Sequence, residues 1–196
     1  MKFRAVIILA AAAMLSACGL NSVPTAEENA KARWADVQAA YQRRADLIPN
    51  LQATVAGAAG SERDILTEVI EARSRATSIQ VTPDQLTDES AVQQFQAAQQ
   101  QLGGALSRLL VNVERYPELR SQQAFQTFMS QIEGTENRIN IAIRDYNGAV
   151  QEYNTTIRTF PSAIGAKIFY GAEPMTPFEA QAGSEVAPTV NFGNSN

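Results

Sequence analysis

Between residues 125 and 160, large apolar side chains recur at every seventh position: Phe125, Ile132, Ile139, Tyr146, Tyr153 and Phe160. A second line of sevens, Met129, Glu136, Ile143, Val150 and Ile157, runs between them. Such interleaved lines belong to helices packed with a left-handed seam, because 3.5 residues per turn keeps one stripe facing a partner. The repeat predicts one helix from about Ser121 to Thr159, stopped by Pro161. At ~1.5 Å per residue, such a helix spans on the order of 55 Å. The chain is therefore expected to be all-α, an elongated antiparallel bundle of long heptad-patterned helices.

The rest of the chain supplies partners for that helix. Thr25 with Glu28 forms a capping-box pattern opening a helix to about Ala56, with the stripe Ala30, Trp34, Val37, Tyr41, Arg44, Ile48, Leu51 and Val55. Pro49 inside it is expected to bend or divide the helix. Gly57 to Gly60 breaks the pattern, and a helix from Glu62 to about Ser78 presents Ile65, Val69, Ala72 and Ala76. Thr82-Pro83-Asp84-Gln85 reads as a single turn. From near Asp88 the stripe is Val92, Phe95, Gln99, Leu102, Leu106, Leu109 and Val113, ended by Tyr116-Pro117. Gly103-Gly104 within it allows a neighbour to come close. Much of the 45% hydrophobic content is alanine, which favours helix over sheet.

The N-terminus reads as an address. Met1-Lys2-Phe3-Arg4 is a positive head, followed by an eleven-residue apolar run, Ala5 to Leu15. A bilayer-spanning helix needs about 20 apolar residues, so the run is a secretory signal rather than a permanent span. Leu15-Ser16-Ala17-Cys18 resembles the lipobox of bacterial lipoproteins, in which Cys18 becomes the first mature residue and its thiol is acylated. The alternative is an ordinary signal with Cys18 incidental. Gly19 after the cysteine, by resemblance to sorted lipoproteins, points to the periplasmic face of the outer membrane. The domain plan is a signal over 1–17, a lipidated cysteine and tether over 18–24, a helical bundle over 25–170, and a weakly ordered tail over 171–196.

Charge and chemistry exclude several classes of function. Sixteen basic side chains face twenty acidic ones, a net of −4, and no basic stripe appears, so nucleic acid is not expected as a partner. Histidine is absent, which removes imidazole ligands and the usual near-neutral general base. Glu133 and Glu136 share a helix face, but the Glu-x-x-His pairs of di-iron bundles are missing, so neither a metal site nor a cofactor is expected. No serine or threonine sits in a nucleophile arrangement, and the lone thiol is assigned to lipid, so the expectation is a protein that is not an enzyme.

Several strings together look like the LemA family. They are Arg43-Arg44-Ala45-Asp46-Leu47-Ile48-Pro49-Asn50-Leu51, Glu114-Arg115-Tyr116-Pro117-Glu118-Leu119, Glu133-Gly134-Thr135-Glu136-Asn137-Arg138-Ile139, Arg144-Asp145-Tyr146-Asn147, Glu152-Tyr153-Asn154, Phe160-Pro161-Ser162, Ala166-Lys167-Ile168-Phe169-Tyr170-Gly171 and Phe178-Glu179-Ala180. The likeness covers about residues 25 to 180. It implies an extracytoplasmic helical domain held at a membrane, with envelope or signalling associations and no agreed catalytic role. Family members typically begin with a transmembrane helix, where this chain has a lipobox. Ala58-Ala59 stands where an aromatic is usual, so any binding role of that aromatic is not carried over.

Two sets of residues stand out as candidate sites. Arg44 and Glu136 are the charged positions of two otherwise apolar stripes and have opposite sign. Either they pair across helices and fix the register of the bundle, or Pro49 turns Arg44 outward and Glu136 finds partners locally. Tyr146, Asn147, Tyr153 and Asn154 either fill a core seam or line a groove. The main functional expectation is a membrane-anchored scaffold or interaction module of the cell envelope, held by lipid on Cys18 and engaging an envelope protein. The alternative is a receptor-like module binding a small molecule or peptide in that groove.

Overall fold

Alanine and straight-chain side chains dominate the stretch after Asn21, and in the computed structural model they form a single helix, α1 (Ser22–Val55, 34 residues). The structure describes residues 21–55, 62–113 and 123–179. Three further long helices follow: α2 (Glu62–Ser78), α3 (Glu89–Val113) and α4 (Gln123–Thr156). A 3₁₀ turn at Pro83–Gln85 joins α2 to α3, and a short helix α5 (Ser162–Gly165) runs into a π turn at Ala166–Tyr170. The chain is thus an all-α helical bundle. The signal segment, Cys18, the Gly57–Gly60 break, the Tyr116-Pro117 stop and the tail from Ala180 lie outside the described residues.

Local chemistry accounts for the helix ends. α1 opens one turn before the Thr25–Glu28 box, so the expected tether over 18–24 ends at Asn21; Thr25 lies inside the helix, its hydroxyl donating back to the Asn21 carbonyl at 2.7 Å. Pro24 falls in the first turn, where a missing N–H leaves nothing unpaired. The helix runs on undivided through Pro49. At the 3₁₀ turn Gln85 N–H donates to the Thr82 carbonyl at 2.9 Å, while Gln85 Oε1 accepts from Thr82 N–H at 3.0 Å. Asp88 caps α3, its Oδ1 accepting from Ser90 N–H at 3.0 Å.

Two hydrophobic clusters make the core. The first gathers Trp34, Val37, Tyr41, Phe95, Ile139, Tyr146, Val150 and Tyr153, and the second gathers Ile48, Leu51, Val69, Leu102, Leu109, Phe125, Phe128 and Ile132. α1 packs along α4 and α2 packs along α3. Arg73 Nε donates to the Ala45 carbonyl at 2.8 Å, tying α2 to α1, and Arg108 pairs with Glu68 across α2 and α3.

The buried face of α4 differs from the sequence expectation in one respect. Phe125, Ile132, Ile139, Tyr146 and Tyr153 are buried, but of the second predicted line only Val150 is buried with them, and the other buried positions, Phe128, Thr135, Ala142 and Ala149, lie one residue ahead of that line. Met129, Ile143 and Ile157 are only partly buried, and Phe160 lies beyond the helix and is exposed. The reason is steric: small side chains at 142 and 149 let α4 come close to α1, and hydrophobicity alone undervalues them. Ile139→Ala is therefore expected to destabilise the fold by about 2–5 kcal/mol. Ile143→Ala should lose clearly less, and urea unfolding of the two variants checks the order.

Candidate functional site

The residues read from sequence as a groove are close together on α4, and a segment of this same chain lies across them. After the π turn Gly171 takes a left-handed conformation (φ 54°), which glycine adopts without a Cβ clash, and the chain reverses. Residues 171–179 then run extended along the bundle, although the sequence reading placed them in a weakly ordered tail. Asn154 Nδ2 donates to the Met175 carbonyl at 2.8 Å, and Met175 N–H donates to Asn154 Oδ1 at 2.9 Å. Asn147 repeats the device one step along, donating to the Phe178 carbonyl at 2.9 Å and accepting from Phe178 N–H at 2.8 Å.

The spacing explains why two asparagines suffice. Seven helical residues rise roughly 10 Å, and three extended residues span roughly the same distance. Asn147 and Asn154 therefore meet Phe178 and Met175 in register. Between them Tyr146 donates its hydroxyl to the Thr176 carbonyl at 2.8 Å, and Thr176 N–H donates to the Leu86 carbonyl at 2.9 Å. Pro174 and Pro177 have no N–H to satisfy. Every N–H from Met175 to Phe178 thus has a partner, which a buried extended strand outside any sheet requires.

The side chains of the strand complete the core. Phe178 enters an aromatic cluster, with ring centroids 5.6 Å from Trp34, 5.9 Å from Tyr146 and 6.3 Å from Tyr41. Trp34 also meets Tyr146 and Phe95 at 5.3 Å each, and its indole N–H donates to the Val81 carbonyl at 2.9 Å. Burial pushes the Tyr146 hydroxyl pKa up, and pushes that of Tyr41 up to about 12 against the opposing pull of Arg44. Tyr153 is buried beside them, and its pKa is raised by burial and by Glu27. The seam at Tyr146 and Tyr153 is filled.

Arg44 and Glu136 are also brought together. The Arg44 side chain is only 4% exposed, and its Nη1 donates to Glu136 Oε1 at 3.0 Å, while Glu136 remains 43% exposed. Arg44 Nη2 donates to the Gln99 carbonyl at 2.8 Å and to Gln99 Oε1 at 3.0 Å, and Gln99 Nε2 donates to the Ala76 carbonyl at 3.1 Å. One guanidinium therefore links α1, α3 and α4, and through Gln99 it reaches α2. A Cβ on Gly103 would stand 3.5 Å from Arg44 Nη1, an ordinary van der Waals contact, so the backbone of α3 passes close beside the guanidinium. This polar layer separates the two apolar clusters.

Beside it a cleft of about 800 Å³ opens between α3 and α4, lined among others by Arg44, Gln96, Gln99, Glu133 and Glu136. Arg44 Nε and Gln96 Nε2 are buried there without a hydrogen-bond partner. Sequence reasoning did not single out Gln96 or the cleft; the available signal was Gln99, a polar side chain in an apolar stripe four residues before the Gly103-Gly104 pair. Among the described residues no group of three or more His, Cys, Asp or Glu is placed to hold a metal ion. Among them, too, no helix is long and apolar enough to cross a membrane.

Comparison with known proteins places this architecture. The family model described as the LemA family matches residues 33–192. "Protein LemA" of Metamycoplasma hominis is 26% identical over 124 residues, covering 63% of this chain and 52% of its own length. "Magnetosome protein MamQ 2" of Paramagnetospirillum magneticum and "Magnetosome protein MamQ" of Magnetospirillum gryphiswaldense are each 26% identical over 157 residues, 72% of this chain and 58% of the relative. The chain thus spans little more than half the length of these curated relatives.

Proposed function

This chain belongs to the LemA family, and from that premise we propose that it is a non-enzymatic, lipid-anchored scaffold of the bacterial cell envelope that presents a rigid helical surface to a protein partner. The observation that carries the reading is the occupied seam: Tyr146, Asn147 and Asn154 spend hydrogen bonds on residues 175–178 of the same chain, leaving only a shallow cavity of about 430 Å³ beside the two asparagines. A seam closed in this way supports a rigid rod rather than an open receptor. The elongated antiparallel shape is supported by two contacts between α1 and α4, Trp34 with Tyr146 and Arg44 with Glu136, and by Ser22 with Ser162 of α5, in which one number rises as the other falls. Each of the two helices, with 34 residues, is roughly 50 Å long. Such a rod holds its far end tens of ångströms from an anchoring surface.

In this reading residues 1–17 are removed as a signal, and Cys18 carries the lipid on the periplasmic face of the outer membrane. Two or three acyl chains hold a protein durably where one does not. Metabolic labelling with an acyl analogue is expected to mark the wild type and not Cys18→Ala, and the intact mass should begin at Cys18. Unlabelled wild-type protein cleaved elsewhere would remove the anchor.

The second reading, a receptor-like module, is favoured by one observation: the cleft beside Arg44, with two buried donors unpartnered. In-cell crosslinking of the acylated protein separates the two readings. Ser107 is exposed at the cleft, so Ser107→Trp fills it without touching the core. A partner captured equally by wild type and Ser107→Trp, and lost with Cys18→Ala, supports the scaffold. Loss in Ser107→Trp with helicity intact would favour the cleft instead.

A further inference from the structure

The stretch after α4 is built the wrong way round for a protein interior. In α5 and the π turn the buried residues are Gly165 and Ala166, while the large apolar side chains face outward. Phe160 is 82% exposed, Ile168 and Phe169 are 69% exposed each, and Ile164 and Tyr170 are exposed beside them. Lone exposed apolar residues are ordinary; five within eleven positions mark an interaction surface. The charge pattern is equally uneven. From Tyr153 to Ala172 there is no acidic residue, and Arg158 and Lys167 are both exposed, in a chain whose net charge is −4.

The position of this cap says what it meets. Ser22, the first residue of α1, donates from its hydroxyl to the Ser162 hydroxyl at 3.1 Å, and Val23 and Ala166 are buried in the same cluster. Cys18 lies four residues before Ser22, a stretch that reaches at most about 14 Å even when fully extended. A lipid on Cys18 therefore holds the cap within that distance of the bilayer surface. We infer that Phe160, Ile164, Ile168, Phe169 and Tyr170 insert into the interfacial layer of an anionic bilayer, with Arg158 and Lys167 on its headgroups, as a second contact beside the lipid anchor. Aromatic and branched side chains sit at that level, and lysine and arginine extend toward the phosphates. Two contacts at one end fix the orientation of the bundle, where a tether alone leaves it free to swing. The inference rests on the anchoring proposed above for its geometry, and its test reads the two separately.

The acylated protein is reconstituted into vesicles of phosphatidylethanolamine and phosphatidylglycerol containing a phospholipid with a diazirine on one acyl chain. After illumination, lipid adducts are mapped to peptides by mass spectrometry. Adducts are expected on the peptide spanning residues 158–170, and Phe160→Ser/Ile168→Ser/Phe169→Ser should lower them at least tenfold while the acylated N-terminal peptide is unchanged. These side chains are exposed, so circular dichroism should match the parent. Should the triple variant lose helicity, Lys167→Glu takes its place, with a several-fold loss expected on anionic vesicles and none on phosphatidylcholine. A folded parent without adducts at 158–170, or adducts indifferent to these substitutions, overturns the docking. So does a protein–protein crosslink at the cap in place of lipid, which would mean that a second copy covers it. An N-terminal peptide lacking acyl mass removes the anchor alone, since adducts at 158–170 are scored independently.

Discussion

Phe178→Ala is expected to destabilise the bundle by about 3–5 kcal/mol, the range for removing a buried aromatic ring. That is a large share of the stability of a domain this size, since whole domains are held by about 5–15 kcal/mol. The ring contacts Trp34, Tyr41, Phe95 and Tyr146, so its loss opens a void bordered by side chains of α1, α3 and α4 only if the strand stays in place. If the strand detaches instead, Asn147 and Asn154 turn to solvent. Asn147→Ala alone leaves the N–H and carbonyl of Phe178 without partners, a loss of about 1–3 kcal/mol when such groups are shielded from water. Because both substitutions act on one strand, the double variant should fall short of their sum by more than about 0.5 kcal/mol. Denaturant unfolding measures all three. An unchanged midpoint for Phe178→Ala would mean that the strand adds nothing to the core.

The second large effect is expected at Arg44. Replacing it by methionine removes the donors to Glu136, the Gln99 carbonyl and the Gln99 side chain together. Each buried oxygen left unpaired costs about 1–3 kcal/mol, and two are freed at Gln99. The loss should be lopsided. Glu136 is nearly half exposed and regains water when Arg44 goes, whereas Glu136→Gln keeps an oxygen that can accept from Arg44 and is expected to change stability by about 1 kcal/mol or less. The burden of Arg44→Met falls instead on the oxygens of Gln99, which is buried. A double-mutant cycle of Arg44→Met with Glu136→Leu should give a coupling on the order of 1 kcal/mol, weakened by salt because one partner faces solvent. Additive effects would show that the pair fixes nothing, whatever its distance.

Which parts of this architecture could be read from sequence follows from what each signal measures. Trp34, Val37, Tyr41, Ile48 and Leu51 recur at helical spacing and are large, so their burial was legible, as was the place of Arg44 among them. Ala142 and Ala149 were not, because their value lies in how near they let another helix come. Met175 and Phe178 were missed for a different reason. They belong to an extended strand held by side-chain amides, and such a strand carries neither the helical period nor the alternation of a sheet. Its signal was on the receiving side, in two asparagines seven apart on a helix, and those were noted as a groove without an occupant. Gln99 was legible as an anomaly but not as a bridge, since its two partners, Arg44 and Ala76, come from other helices.

The pairing of the first helix with the last has a consequence for the order in which the molecule forms. Ser22 meets Ser162 across 140 residues of chain and Arg44 meets Glu136 across 92, whereas Arg108 meets Glu68 across 40. Nearby partners find one another quickly and distant ones slowly, so α2 and α3 can form a hairpin while α1 still lacks its mate. As the chain emerges from its N-terminus, Trp34 waits until Tyr146 and finally Phe178 have appeared. Folding is completed only once residues 175–178 are available, and a chain of this design leaves its first helix unpartnered until most of the described residues have been made.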